Sequence, residues 1–404
     1  FPAFQSCAFV GEGQGAAGCA LMRTAWGCST GELDSATQSP ASSAASSGSD
    51  SPEATTQRCG WLCSKFTGQI SSDTSESDTG GTCAAGFLAD VLNGVSQVCF
   101  FTNPAAGVAF LAAVLIGTPR TSSILCLVGG LSATCCSICL GLEQAARKDG
   151  TLGYNGVLVG CALAAFMEEF WWSIPATIVA AGISSMVAAG LLKIVKPQLT
   201  LAFNLVVLAT MVLIHSIFSP DHSRSGIVDL TWVSVLPEFT ATGFLVAVLN
   251  GMSQIYFVSS PFSGVLVLLG ICLVRPLASV NTLLGSLLAT LVAARCGADM
   301  SRLKSGVWAY NAALISLWIS FHFRALGYVP VLFLVCFGAL ATTAAFAAMD
   351  GLVAVTRGMA PSCFTLPFNT VGFFLVALQT TVRCIHSSTK RKAPAGEGTE
   401  RCSV

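Results

Sequence analysis

The sequence predicts an all-α polytopic membrane protein built from two homologous halves. Three observations carry that prediction: a charge-poor composition, a train of apolar segments, and a set of polar motifs that occurs twice in the same order. Of 404 residues only 10% are charged and 53% are hydrophobic, with a mean hydropathy of +0.72. A soluble domain carries about 25% charged residues. Polar surface as sparse as this would leave a water-facing shell uncovered, so the bilayer is the expected solvent. Disordered, collagenous and soluble-enzyme classes are excluded on the same grounds. Lys plus Arg equals Asp plus Glu at 20 each, so the charge balance points neither to nucleic acid nor to an acidic partner.

The segments come next. Residues 1–83 are rich in Ser, Thr, Gly and Ala, as in Gln38 to Pro52 and Ser71 to Gly81, and read as a disordered N-terminal tail. From Ala84 apolar segments follow at 84–101, 105–118, 121–142, 152–167, 170–193 and 199–219, then at 239–258, 262–274, 277–295, 306–321, 326–356 and 364–385. A spanning helix needs about 20 residues. The pieces 105–118 and 262–274 are shorter and read as re-entrant half-helices, which are tolerated where they line a protein-enclosed cavity. Between the two sets lies Pro220 to Ser234, with Asp221, His222, Arg224 and Asp229. The expected division is therefore a first repeat at 84–219, a linker at 220–236, a second repeat at 237–386 and a C-terminal tail at 387–404. The sequence opens on Phe1 rather than Met and reads as a fragment or a processed product.

The repeat rests on polar residues, which an apolar background would not align by chance. Asn93-Gly94-Val95-Ser96-Gln97-Val98-Cys99-Phe100 returns 157 residues later as Asn250-Gly251-Met252-Ser253-Gln254-Ile255-Tyr256-Phe257. Pro104 and Gly107 map onto Pro261 and Gly264 at the same spacing. Gly153-Tyr154-Asn155-Gly156-Val157-Leu158 is echoed by Ala309-Tyr310-Asn311-Ala312-Ala313-Leu314, and Thr200-Leu201-Ala202-Phe203-Asn204 by Thr365-Leu366-Pro367-Phe368-Asn369. Such duplication is common in transporters. With five spans per half the copies are inverted about an axis in the membrane plane, and the paired motifs meet near its centre. The basic run Lys390-Arg391-Lys392 places the C-terminus on the cytoplasmic side, and an even span count places the N-terminus there too.

The repeated polar groups are amides and hydroxyls rather than ions. An unpaired amide in hydrocarbon costs about 2–7 kcal/mol, so each bonds a neighbouring helix or faces a polar passage. Asn155 and Asn311, flanked by small residues, read as helix-to-helix glue. Gln97 and Gln254, each three residues before Phe100 or Phe257 and at the break before a short helix, read as passage-lining, as do Thr200 and Thr365. Amides beside aromatic planes suit a small, planar, neutral solute. No pair of carboxylates recurs inside the apolar segments, so neither a proton relay nor a sodium cage is written in the repeat. Asp350 and His215 stand alone and read as structural or interfacial. Glu168 and Glu169 read as an interfacial boundary, and Arg295, Asp299, Arg302 and Lys304 as a solvated loop.

No nucleophile elbow, HExxH, Walker A or dinucleotide fingerprint occurs, so no enzyme is expected. Cys126, Cys135, Cys136, Cys139 and Cys161 lie within apolar runs without recurrent spacing and read as small hydrophobes. Cys59 and Cys63 have a loosely metal-like gap but no nearby His, and read as free thiols. No metal and no cofactor is expected.

At these residues the sequence resembles the urea transporter family over roughly 84–385. The Gln motifs with a following Pro, the Tyr-Asn pairs, and the Pro-Thr signatures at Lys196 to Phe203 and Pro361 to Phe368 carry the likeness. The resemblance implies two inverted halves, each of about five transmembrane helices plus a re-entrant half-helix, with a pore inside each subunit of a homotrimer in the plasma membrane. It implies passive, channel-like urea flow through two aromatic slots and a threonine-lined middle site. Carried over residue by residue, Gln97, Val98, Phe100, Tyr154 and Leu158 line one slot and Gln254, Ile255, Phe257, Tyr310 and Leu314 the other, with Thr200 and Thr365 between them. The sequence departs from the family pattern at Lys196, at Ala202 and in the extra residue between Pro361 and Thr365. Those departures leave open a channel for ammonia, water or short amides, and the inverted repeat alone permits an ion-coupled transporter with Asp350 as coupling group. A receptor or scaffold acting through the long tail is a third reading.

Overall fold

The computed structural model describes residues 79–118, 120–167, 170–218, 240–355 and 362–392. The tail up to residue 78, the linker 220–236, Glu168, Glu169, Pro361, the side chain of His215 and the segment beyond 392 lie outside the described residues. Within them the regular structure is helical, in two sets that follow the same order. The first set comprises α1 (Thr79–Gln97), α2 (Pro104–Gly117), α3 (Arg120–Cys139), the short α4 (Gln144–Lys148), α5 (Tyr154–Phe166), α6 (Phe170–Leu191) and α7 (Leu201–Phe218). The second comprises α8 (Ala241–Ser253), α9 (Pro261–Val274), α10 (Pro276–Arg295), the short α11 (Met300–Lys304), α12 (Tyr310–His322), α13 (Tyr328–Val355) and α14 (Leu366–Lys392).

Local chemistry explains where the short helices begin. Pro104 and Pro261 occupy the first turns of α2 and α9, where a missing N–H costs nothing. Asn103 caps α2 by accepting from the Ala106 N–H at 3.1 Å, and Ser260 caps α9 by accepting from the Ser263 N–H at 3.4 Å. The chain bends by 70° between α8 and α9. Gly264 of α9 lies against the Leu249 carbonyl of α8, where a Cβ would have no room, and Gly107 of α2 lies likewise against the Leu92 carbonyl of α1.

Among the described residues four helices are long and apolar enough to cross a membrane by themselves: Ser122–Cys139, Trp171–Leu191, Pro276–Arg295 and Tyr328–Val353. They belong to α3, α6, α10 and α13, equivalent positions in the two sets. Their outward faces carry large apolar side chains such as Trp171, Ile178, Val280, Phe333 and Leu340, as a lipid-facing surface does. The shorter α5 and α12 are buried on nearly every face, which is what an all-round apolar helix requires. Helix α5 packs between α3 and α6, and α12 between α10 and α13.

Paired hydrogen bonds repeat the order of the motifs. The Asn93 amide donates to the Lys148 carbonyl at 2.8 Å and the Asn250 amide to the Lys304 carbonyl at 2.7 Å. Gly150 (φ 80°) and Gly306 (φ 85°) sit against the backbone of Asn93 and Asn250, so only a glycine fits either position. The two sets also meet each other. Helix α2 packs on α9, where the Ser263 hydroxyl donates to the Ala113 carbonyl at 2.7 Å. The Tyr256 hydroxyl donates to the Val95 carbonyl at 2.9 Å and lies 3.6 Å from the Cys99 sulfur. Cys99 and Tyr256 are equivalent residues of the two motifs, so the repeats touch at a shared position. Cys126 and Cys161 are buried free thiols, whereas Cys139 is exposed.

Candidate solute passage

Among the described residues the backbone reaches the left-handed region at four non-glycine positions: Phe100 (φ 64°), Leu199 (φ 49°), Phe257 (φ 60°) and Phe364 (φ 46°). Bulky residues adopt this conformation at a cost of about 1–3 kcal/mol each and keep it where the surroundings over-determine it, most often at functional sites. Phe100 and Phe257 are repeat equivalents, as are Leu199 and Phe364. Tight turns hold the first pair, with the Phe100 N–H on the Gln97 carbonyl at 2.9 Å and the Phe257 N–H on the Gln254 carbonyl at 3.0 Å. Tyrosine hydroxyls hold the second pair: Tyr154 donates to the Leu199 carbonyl and Tyr310 to the Phe364 carbonyl. The expectation for Asn155 and Asn311 as helix glue is met in their contacts. Asn155 accepts from the Phe203 N–H at 3.1 Å, and the Asn311 amide donates to the Phe364 carbonyl at 3.1 Å.

The turned phenylalanines face rings of the opposite repeat. Phe100 lies 5.9 Å from Phe368 and Phe257 lies 6.0 Å from Phe203, centroid to centroid. Phe203 and Phe368 are themselves equivalents, so each slot takes one ring from each half. The second slot has more rings, with Phe364 at 6.1 Å and Phe166 at 6.4 Å from Phe257. Val98, Leu158, Ile255, Leu314, Tyr154 and Tyr310 are buried. Gln97 and Gln254 are partly exposed at the slots; the Gln254 amide donates to the Ser259 hydroxyl at 2.6 Å.

The two threonines meet directly. Thr200 Oγ1 and Thr365 Oγ1 are 2.7 Å apart, each residue 1% exposed. Two asparagines one helical turn further on complete the network. The Thr200 N–H and hydroxyl both reach Asn369 Oδ1, at 3.1 and 3.0 Å. Across the axis the Thr365 N–H reaches Asn204 Oδ1 at 3.2 Å, and Asn204 Nδ2 donates to Thr365 Oγ1 at 2.8 Å. A consistent proton order runs from Asn204 through Thr365 and Thr200 to Asn369. Several buried side-chain atoms of the repeated motifs have no protein partner, among them Gln97 Oε1, Asn155 Nδ2, Asn311 Oδ1 and Asn369 Nδ2.

Of the twelve residues singled out in the sequence, Phe100 and Phe257 pair with rings of the opposite repeat and Thr200 and Thr365 bond each other. Sequence reasoning missed Phe203, Phe368, Asn204 and Asn369 as site residues, although all four stand inside the repeated Thr motif. Phe166 lies outside every motif and carried no signal. The charged groups are elsewhere. Asp350 receives two hydrogen bonds of 2.6 Å from Arg302, which hold the guanidinium further toward its protonated form. Arg302 is therefore tied to α13 rather than solvated in the α10–α12 loop as the sequence predicted.

The Urea transporter family model matches residues 88–380. The chain belongs to the urea transporter family. Urea transporter 1 of Ovis aries is 30% identical over 308 residues, covering 73% of this chain and 77% of its own length. Urea transporter 1 of Rattus norvegicus is 29% identical over 292 residues, covering 69% and 73%. Membership makes urea transport across a membrane the activity of this chain and sets it apart from enzymes. The matched range includes all twelve residues singled out in the sequence.

Proposed function

We propose that the chain conducts urea passively, through one passage that runs from the Gln97, Val98, Phe100, Tyr154 and Leu158 slot, past Thr200 and Thr365, to the Gln254, Ile255, Phe257, Tyr310 and Leu314 slot. The observation that carries this reading is the convergence of repeat-equivalent groups: rings paired across the halves on either side of a threonine pair 2.7 Å apart. A flat, neutral solute slides along the rings while amide and hydroxyl groups replace its water hydrogen bonds. At the centre the threonine bond must yield as the solute passes. Desolvation is deepest there, which sets the barrier and excludes charged solutes.

In this reading the halves 84–219 and 237–386 are inverted about an axis through the Cys99–Tyr256 and Thr200–Thr365 contacts. Each half contributes about five transmembrane helices and a re-entrant helix, α2 or α9. The linker 220–236 faces outside, and the tails 1–83 and 387–404 are cytoplasmic. The subunit works in a homotrimer in the plasma membrane. Ion coupling through Asp350 loses its support, because the Arg302 guanidinium already occupies that carboxylate. Reconstitution in liposomes with no ion gradient tests the proposal. Urea influx that raises the stopped-flow reswelling rate, and that is indifferent to sodium and voltage, is expected; uptake that collapses with an ion gradient contradicts it.

A further inference from the structure

Two backbone groups fix how the asparagines face the threonine centre. The Thr200 N–H lies 3.1 Å from Asn369 and the Thr365 N–H 3.2 Å from Asn204. A backbone N–H only donates and an amide nitrogen does not accept, so both asparagines turn Oδ1 toward these groups. The halves then differ. Asn204 meets the opposite hydroxyl, Thr365 Oγ1, with Nδ2 at 2.8 Å, whereas Asn369 meets Thr200 Oγ1 with its Oδ1 at 3.0 Å. Asn369 Nδ2 has no partner in the protein, and the residue is buried. Asn369 thus serves the centre through its oxygen alone.

That oxygen accepts and cannot donate, so it takes the Thr200 hydroxyl proton. Thr365 Oγ1 already receives a proton from Asn204, and its own proton goes to Thr200 Oγ1 at 2.7 Å. Between the two hydroxyls Thr365 is therefore the donor and Thr200 the acceptor, although they are repeat equivalents.

Resting on the passage reading above, we propose that Asn369 is a positioning residue that fixes this order and thereby sets which solutes cross the centre. By holding the Thr200 proton it leaves Thr200 Oγ1 an acceptor. A solute that parts the threonines takes the Thr365 proton on its carbonyl and gives an N–H to Thr200 Oγ1, so no group at the centre is left unpaired. Urea and small primary amides do both. A ketone of the same shape only accepts, and it strands the Thr200 oxygen.

Acetamide and acetone test this, because both match urea in number of heavy atoms and in planar outline and differ from each other in the N–H groups. Each is equilibrated on both sides of proteoliposome membranes, and the concentration that halves urea flux is measured. Wild type is compared with Asn369→Leu, which removes the oxygen, and with Asn369→Asp, which keeps an oxygen toward Thr200. We expect wild type to need at least about fivefold more acetone than acetamide, the penalty of one buried acceptor left unpaired. In Asn369→Leu the Thr200 proton is released to the solute, and the two competitors should become alike. Asn369→Asp should keep the wild-type contrast, and it decides the matter should the Leu variant fail to fold. Equal competition in wild type overturns the proposal, as does a lost contrast in Asn369→Asp. A folded Asn369→Leu with lower urea flux but an unchanged contrast also overturns it, since that marks a merely structural asparagine. A wild-type chain that conducts no urea overturns the passage reading and this inference with it, whereas a conducting wild type without the contrast overturns this inference alone.

Discussion

The Leu199 carbonyl and the Phe364 carbonyl occupy equivalent left-handed turns but are not equally served. Leu199 has the Tyr154 hydroxyl, whereas Phe364 has both the Tyr310 hydroxyl and the Asn311 amide. Tyr154→Phe therefore strands a buried acceptor and is expected to destabilise by about 1–3 kcal/mol. Tyr310→Phe leaves the Asn311 bond in place and costs less. Thermal melting of the two purified variants checks the order; equal losses contradict it. Polar residues such as Tyr154, Asn155 and Thr200 were legible in the sequence because they repeat against an apolar background. The turns that aim Phe100 and Phe257 were not, because nothing in a phenylalanine announces a positive φ. The direct Thr200–Thr365 bond joins residues 165 apart, and the ring pairs Phe100–Phe368 and Phe203–Phe257 also join distant segments, which no local pattern encodes.

Each repeat anchors its short loop helix with an ion pair, and the two anchors differ in burial. Arg147 of α4 meets Asp90 of α1 at 2.9 Å with side chains only 7% and 11% exposed, while Arg302 and Asp350 are 41% and 22% exposed. Removing one partner of a buried pair leaves an uncompensated charge. Arg147→Met is expected to destabilise by about 3–5 kcal/mol. Asp350→Asn is expected to cost about 1 kcal/mol or less, as partly solvated pairs do, and to leave urea flux insensitive to ion gradients. Denaturant melts of both variants, with flux on the second, decide this. The starts of α2 and α9 were legible to within a residue, because Pro104 and Pro261 mark first turns. Helices α4 and α11 were not, since five residues are too few to show a hydrophobic period. Nor was the run of α14 to Lys392, which hydropathy ends at 385 once the side chains become polar.

Across the whole molecule, the proposed inversion of the two halves makes a topological prediction. Glu143 and Asp299 precede α4 and α11 at equivalent positions, and both are exposed. In a cysteine-depleted background, Glu143→Cys and Asp299→Cys should react with a membrane-impermeant thiol reagent from opposite sides; labelling from one side contradicts inversion. The central claim is that the halves converge on one passage at the threonine pair, and a double-mutant cycle on urea permeability tests it most directly. Thr200→Val, Thr365→Val and the double variant are reconstituted at equal protein and compared with wild type. The account predicts that each single change lowers urea permeability and that the double falls well short of the product of the two losses, because the hydroxyls act through one shared bond. Wild-type permeability in both single variants, or independent effects that multiply in the double, would contradict it.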